Sequence, residues 1–387
     1  MSLYSGPELD KNQANFAPLP PVSVLKRTER VYPDLPAQVH GKIRRNWGEV
    51  AERCKRLASA LSQRGVGKGD TVALIAPNIP EALECALAIP MLGAVLNANN
   101  VRLDAATLGF ILEHGEANVL LADTEFSSLA REAVTQSGRD LFIVDIEDPE
   151  GPGGDCIGEL TYEALLAEGA PEFPYAPPDD EWDALALNYT SGTTGQPKGV
   201  VYSHRGAWTN AVNNVVTWEM PHHPVYLWTL PLFHCNGWCF PWTITMLAGT
   251  HVFLRSPSAE GIYGAFAQHG VTHLCGAPII MSMIAGASDA ERQERRGAKG
   301  RTAHGPAEYG QFEARARGQQ QRERGRRQGE ILVDGPTCCC CCCCCCCCCS
   351  TGGNQGPDDR GRGAPKDAHS HRSQRRPVRD DLRFLPT

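Results

Sequence analysis

Thr71-Val72-Ala73-Leu74-Ile75-Ala76, then Pro80 to Leu92, then Gly93-Ala94-Val95-Leu96 reads as a buried strand, a helix and a second strand in immediate succession. The same alternation runs outward on both sides. Upstream, Glu49 to Gln63 places Val50, Leu57, Ala58 and Leu61 at helical spacing with Arg53, Lys55 and Arg56 off that stripe, and Gly65, Gly67 and Gly69 then break the helix. Downstream, Asp104 is an N-cap for a helix running to Glu113, and Val119-Leu120-Leu121 and Leu141-Phe142-Ile143-Val144 are strands separated by a helical stretch. Further strands are predicted at Ala184–Asn188, Tyr226–Leu230, His251–Leu254 and Val271–Cys275. Strand and helix alternating at this interval predict an α/β fold with layered, largely parallel sheets. Residues 148–182, rich in Gly, Pro and acidic side chains, read as a surface connection between two such layers.

The chain has 387 residues, with 42% hydrophobic and 21% charged content, which fits a globular protein. The averages hide a break near residue 288. The first 285 residues carry a net charge of −13 and the last 102 carry +6. An acidic main body gives no reason to expect nucleic acid as a partner. Leu, Ile, Val and Phe together number only 8 in those last 102 residues, too few to offset the entropy of ordering, so a disordered tail is expected. Within it, Gly329 to Pro336 looks like a turn-flanked strand, and Cys338 to Cys349 is an unbroken run of 12 cysteines. Cys54, Cys85, Cys156, Cys235, Cys239 and Cys275 lie among apolar neighbours and read as structural thiols in a reducing compartment. Residues 1–15 are polar with no apolar core, and Phe384-Leu385-Pro386-Thr387 is neither a peroxisomal nor an ER-retention address, so a cytoplasmic location is expected. Residues 221–254 contain no Asp, Glu, Lys or Arg, yet Pro231, His234, Asn236, Gly237 and Pro241 interrupt them; a buried strand, turn and helix is expected, with no membrane span.

One stretch carries chemistry. Tyr189-Thr190-Ser191-Gly192-Thr193-Thr194-Gly195-Gln196-Pro197-Lys198-Gly199-Val200 combines three glycines, hydroxyl side chains and one lysine in a loop that follows a strand. Backbone N–H groups freed by glycine, Ser/Thr hydroxyls and an ammonium can surround a polyphosphate. The strand Ala184–Asn188 projects that loop from the sheet edge, where α/β folds bind ligands. It is not a Walker-type loop, because Lys198 is followed by Gly199 and the run from Gly192 to Lys198 lacks the second glycine just before the lysine, where Pro197 stands. Other local patterns carry less. Asn188-Tyr189-Thr190 matches a glycosylation sequon but lies inside the loop, and Glu113-His114 is most simply the polar end of a helix. His234, Cys235 and Cys239 lack a fourth ligand, so no metal site is expected.

The loop resembles the phosphate-binding signature of the adenylate-forming superfamily: acyl-CoA synthetases, luciferases and peptide-synthetase adenylation domains. A second block, Leu230-Pro231-Leu232-Phe233-His234-Cys235-Asn236-Gly237-Trp238, is similar to the acyl-pocket segment of the short- and medium-chain acyl-CoA synthetase branch, which includes methylmercaptopropionate–CoA ligases and plant acyl-activating enzymes. Gly276-Ala277-Pro278 and Leu96-Asn97-Ala98-Asn99 followed by Arg102-Leu103-Asp104 are also similar to it. The resemblance covers about residues 16–288, most of a large N-terminal domain. It implies a two-step reaction in which a small carboxylic or fatty acid attacks the α-phosphate of Mg-ATP, and coenzyme A then takes the acyl group and releases AMP. It implies that Thr190, Ser191, Gly192, Thr193, Thr194, Gly195 and Lys198 hold the phosphates, with Lys198, Thr190 and His234 as candidate catalytic side chains. Phe233, His234, Trp238, Gly276, Ala277 and Pro278 are the implied walls of the acyl slot. The family places an aspartate after the phenylalanine for amino-acid substrates; His234 stands there instead, which argues against an amino acid.

The chain also departs from that pattern. The family's Thr-Glu segment, ribose-binding aspartate, hinge and small-domain lysine are not found after residue 288, and Lys299 and Lys366 stand in unmatched surroundings. The expected organisation is an extension over 1–15, an incomplete large domain over 16–288 and a tail over 289–387. That tail reads as a shifted reading frame or a faulty gene model, against the competing explanation of an evolved disordered segment. Impaired or absent turnover is expected of the chain as written, whether it is a misread acid–CoA ligase or a non-catalytic remnant that binds nucleotide or a partner.

Overall fold

The computed structural model describes residues 6–175, 177–190 and 197–293, together with the backbone of 382–384. Helix α1 (Ser23–Val31) leads to a hairpin of β1 (Pro36–His40) and β2 (Ile43–Asn46), and then to α2 (Trp47–Gln63), β3 (Thr71–Ile75), α3 (Pro80–Met91) and β4 (Val95–Asn99). Helix α4 (Ala105–His114), β5 (Ala117–Asp123), α5 (Ser127–Ser137), β6 (Phe142–Ile146), β7 (Leu160–Thr161) and α6 (Tyr162–Glu168) follow. Then come β8 (Ala184–Thr190), β9 (Lys198–Ser203), α7 (His204–Thr217), β10 (Val225–Trp228), α8 (Cys235–Trp238), α9 (Phe240–Met246) and β11 (Thr250–Phe253). The last elements are α10 (Ala259–His269), β12 (His273–Leu274), α11 (Pro278–Gly286), α12 (Asp289–Gln293) and β13 (Leu382–Phe384).

Two sheets result. The larger has the order β13-β9-β8-β4-β3-β5-β6-β7, parallel except for the β8–β9 hairpin. The smaller has the order β12-β10-β11-β1-β2, parallel except for β1–β2. The layered, parallel-rich α/β architecture expected from the alternation is therefore present. Helix α3 touches β3 and β4 of the larger sheet and β1 of the smaller, and every one of its residues is buried. That burial suits a helix whose only charges are Glu81 and Glu84. Glu84 accepts from Arg45 Nη1 at 3.0 Å, Arg53 Nε at 2.9 Å and the Tyr162 hydroxyl at 2.9 Å, which satisfies a carboxylate that would otherwise be costly inside. Trp47, Trp228 and Trp242 fill the core around it, and Trp242 Nε1 donates to Ala86 O at 3.2 Å.

A second polar cluster joins the sheets. Arg255, just after β11, donates to Asp123 and Asp148 at 2.7–2.8 Å, and His40 Nε2 meets Asp148 at 3.0 Å. Local signals explain several helix starts. Asp104 Oδ1 accepts from the Thr107 N–H at 2.8 Å, as expected, and Asn46 with Glu49 forms a reciprocal capping box that starts α2 at Trp47.

Three expectations change. Residues 148–182 are not merely a surface connection between layers: they join β6 to β8 within one sheet and contain β7 and α6. Tyr162, Leu165 and Leu166, spaced one helical turn apart, bury themselves there, and α6 packs against α2. Second, the backbone of 382–384 adds β13, parallel to β9 with Leu382 opposite Gly199, a strand the sequence reading did not include. Third, Glu113-His114 is more than a polar helix end, as described below. The strand expected over Gly329 to Pro336 and the run Cys338 to Cys349 lie outside the described residues.

Candidate functional site

The phosphate-loop candidate sits at the tip of the β8–β9 hairpin. The register pairs Asn188 with Val200, Tyr189 with Gly199 and Thr190 with Lys198, so Thr190 and Lys198 face each other across its mouth. Thr190 is exposed and Lys198 half-buried. Ser191, Gly192, Thr193, Thr194 and Gly195 lie outside the described residues. Strand β8 is flanked by β9 and β4, so the loop leaves from the carboxyl end of an inner strand, not from the sheet edge. Because β8 is parallel to β4, and β4 to β3, that end opens on the same side as theirs.

Two side chains fix the hairpin. Asn97 Nδ2 donates to Leu187 O at 2.9 Å, adding a bond between β4 and β8 where their ladder is sparse. His114 Nδ1 meets the Tyr189 hydroxyl at 2.7 Å, with the imidazole stacked on Phe110 and edge-on to Tyr189. His114 thus ties the end of α4 to the residue before Thr190. Its role comes from a partner 75 residues away, which no local pattern announces.

The second block follows β10. Thr229 Oγ1 donates to Cys275 O at 2.9 Å, joining this segment to the one that continues through Gly276, Ala277 and Pro278 into α11. Asn78, just past β3 of the larger sheet, donates to Trp228 O and Leu230 O and accepts from the Leu232 N–H. Phe233 is half-buried and His234 exposed in this segment, with desolvation lowering the His234 pKa below 6.5. Then the backbone turns left-handed for five residues, Cys235 to Cys239, with φ between 43° and 63°. Such a run costs free energy at each non-glycine residue. Neighbours hold it: Asn214 Nδ2 donates to Trp238 O at 2.9 Å, and the Trp242 and Thr243 N–H groups donate to Cys239 O. At Gly237 a Cβ would stand 2.7 Å from the Trp228 ring, so the close approach requires glycine.

Helix α8 contacts β8, so the turn carrying Trp238 lies against the strand that ends in Thr190. The Cys235–Trp238 turn and strand β8 are therefore neighbours, while Gly276–Pro278 joins through the Thr229–Cys275 bond one strand away. Cavities of 310 Å³ (Gly69, Asp70, Thr71, Glu116, Asn118, Arg139) and 430 Å³ (Arg64, Phe142, Glu159, Leu160) lie at the amino ends of strands, away from these residues. Among the described residues no three His, Cys, Asp or Glu side chains gather as a metal site, and no helix is long and apolar enough to cross a membrane.

A model of the family described as AMP-binding enzyme matches residues 25–366. The chain belongs to the AMP-binding enzyme family. Within that family, a peroxisomal acetate/butyrate–CoA ligase of Arabidopsis thaliana is 44% identical over 293 residues, 72% of this chain and 51% of that protein. An acetate–CoA ligase of Humulus lupulus is 41% identical over 296 residues, 73% of this chain and 52% of that protein. This AMP-binding family member thus spans about half the length of the curated relatives it matches. The N-terminal domain of FACL13 from Mycobacterium tuberculosis superposes with a TM-score of 0.62 at 26% identity, covering 70% of this chain and 66% of that one.

Proposed function

We propose that this chain is the ligand-binding part of an AMP-forming acid–CoA ligase. In that reaction a carboxylate oxygen attacks the α-phosphorus of Mg-ATP, giving an acyl-adenylate and pyrophosphate; the thiol of coenzyme A then attacks the acyl carbon and AMP leaves. The observation that supports the reading is the contact between α8, the end of the Phe233–Trp238 segment, and β8, the strand that leads into the Thr190–Lys198 mouth. Phosphate and acyl group must lie side by side for adenylation, and this arrangement provides for both.

In this reading the Lys198 ammonium, the Thr190 hydroxyl and the loop from Ser191 to Gly195 hold the pyrophosphate as negative charge develops on it. Phe233, His234, Trp238, Gly276, Ala277 and Pro278 wall an acyl slot for a small carboxylic or fatty acid, in keeping with the acetate and butyrate in the Arabidopsis relative's name. In this reading magnesium enters as part of the triphosphate substrate. The buried thiols of Cys54 and Cys85 support a reducing compartment, either the cytoplasm or, as the Arabidopsis relative is named, the peroxisome.

The test is carboxylate-dependent AMP release by the 387-residue chain, run beside equilibrium binding of ATP and butyrate. Saturable binding of both with little release is expected. Binding of neither contradicts the reading and leaves the protein a non-catalytic relative with another partner.

A further inference from the structure

Buried side-chain amides in this protein are generally well satisfied. Asn78 makes three bonds at 2.8–3.1 Å, Asn97 donates to Leu187 O, and Asn99 donates to Asn97. Asn188 and Asn236 are different. They are 6% and 2% exposed, and in each neither Oδ1 nor Nδ2 has a partner among the described residues. A buried amide left unpaired forfeits its hydrogen bonds with water and gains none in return, so such groups demand an explanation.

Their positions supply one. Asn188 stands two residues before Thr190, on the β8 face it shares with Ala186 and Thr190. Ala186 lies in the same extended core cluster as Leu232 and Cys239, so β8 and the second block share one core. Asn236 sits in the left-handed turn of α8, which contacts β8. Trp238, in the same turn, also has a buried Nε1–H without a partner. Two carboxamides and an indole offer five N–H donors against two acceptor oxygens. A set so rich in donors fits a ligand group that only accepts. The strain of consecutive left-handed residues belongs where the surrounding structure must aim a group at a ligand.

We propose that Asn188 and Asn236 are positioning residues that donate to the carboxylate, and later the acyl carbonyl, oxygen of the bound acid. The inference rests on the acid–CoA ligase reading and deepens it. The oxygen would sit between the hairpin mouth and the acyl slot, with donors on both sides of it. Occupancy would satisfy these amides, so binding the acyl oxygen would recover hydrogen bonds forfeited on folding.

The experiment compares three probes on the full chain: AMP, butyryl-sulfamoyl-adenosine, and a butyl analogue of the same length lacking the carbonyl oxygen. The variants are Asn236→Asp and Asn236→Gly, both tolerant of a left-handed backbone, and Asn188→Leu, which replaces an unpaired amide by an apolar side chain of similar size. Wild type is expected to bind the acyl probe about tenfold or more tighter than the butyl probe. Each variant is expected to lose most of that preference while its AMP affinity and melting temperature stay close to wild type. An undiminished preference in the variants overturns the proposal. So does a parallel loss of stability and of affinity for all three probes, which marks the amides as purely structural. Failure of wild type to bind AMP or either analogue is a separate result that overturns the ligase reading itself, and the proposal with it.

Discussion

Asn78 Oδ1 accepts the backbone N–H of Leu232 at 2.8 Å across 154 residues of chain, while its Nδ2 donates to Trp228 O at 3.1 Å and Leu230 O at 3.0 Å. One amide, at the carboxyl end of β3 in the larger sheet, therefore sets the path of the segment leaving β10 in the smaller. Asn78→Leu leaves one donor and two acceptors inside without partners. Destabilisation of about 2–4 kcal/mol is expected in urea unfolding, with weakened binding of acyl ligands.

Lys198 is the one cation of the hairpin loop, half-buried opposite Thr190. Lys198→Met is expected to lower ATP affinity by about tenfold or more, and AMP affinity far less, because the charge acts on the outer phosphates. The ATP affinity of wild type should also fall more steeply with added salt than that of the variant. Equal loss for ATP and AMP would place the lysine elsewhere.

His204 heads α7, is 1% exposed, and has neither ring nitrogen paired among the described residues. Burial lowers its pKa from 6.5 to about 4. The unfolded chain therefore takes up this proton first as pH falls. The contribution to stability is whole above pH 6.5 and is lost as pH drops toward 4, about 3 kcal/mol in all. His204→Leu is expected to match or exceed wild type at pH 7 and to lose less stability between pH 6.5 and 4. Urea midpoints measured across that range give the difference directly.

Arg255 is the hinge pin between sheets, bonded to Asp123, Glu125 and Asp148. Burial disfavours ionisation of Asp148, but hydrogen bonds from His40, the Glu150 N–H and Arg255 outweigh it and hold its pKa at about 2. That stability is present above pH 3.8 and lost as pH falls toward 2. Arg255→Met strands two buried carboxylates, and a loss of about 3–5 kcal/mol is expected at pH 7.

What the sequence revealed follows from how local each signal is. The run from Thr71 to Leu96 and the Asp104 cap are written in neighbouring residues, and the structure has β3, α3, β4 and α4 where they predict. The β1–β2 hairpin escaped because Gln38 and His40 are polar yet buried; their partners, Pro80 O and Asp148, are distant in sequence. Helix α6 was hidden by the Gly, Pro and acidic residues around it. At the candidate site, the hydroxyl–glycine–lysine loop announces itself by composition, and the Phe233–Trp238 block by its resemblance to the family's acyl-pocket segment. Asn78, His114 and Asn236 do not: a lone Asn or His has no local pattern, and each matters only through what the fold sets beside it.

The most direct test of the account is hydrogen–deuterium exchange of the full chain with and without butyryl-sulfamoyl-adenosine. The account predicts added protection in Leu185–Thr190, Lys198–Ser203 and Leu230–Cys239, the strands and turn of the proposed site. Protection confined to the strand amino ends around Asp70, Asn118 and Arg139, or none anywhere, would contradict it.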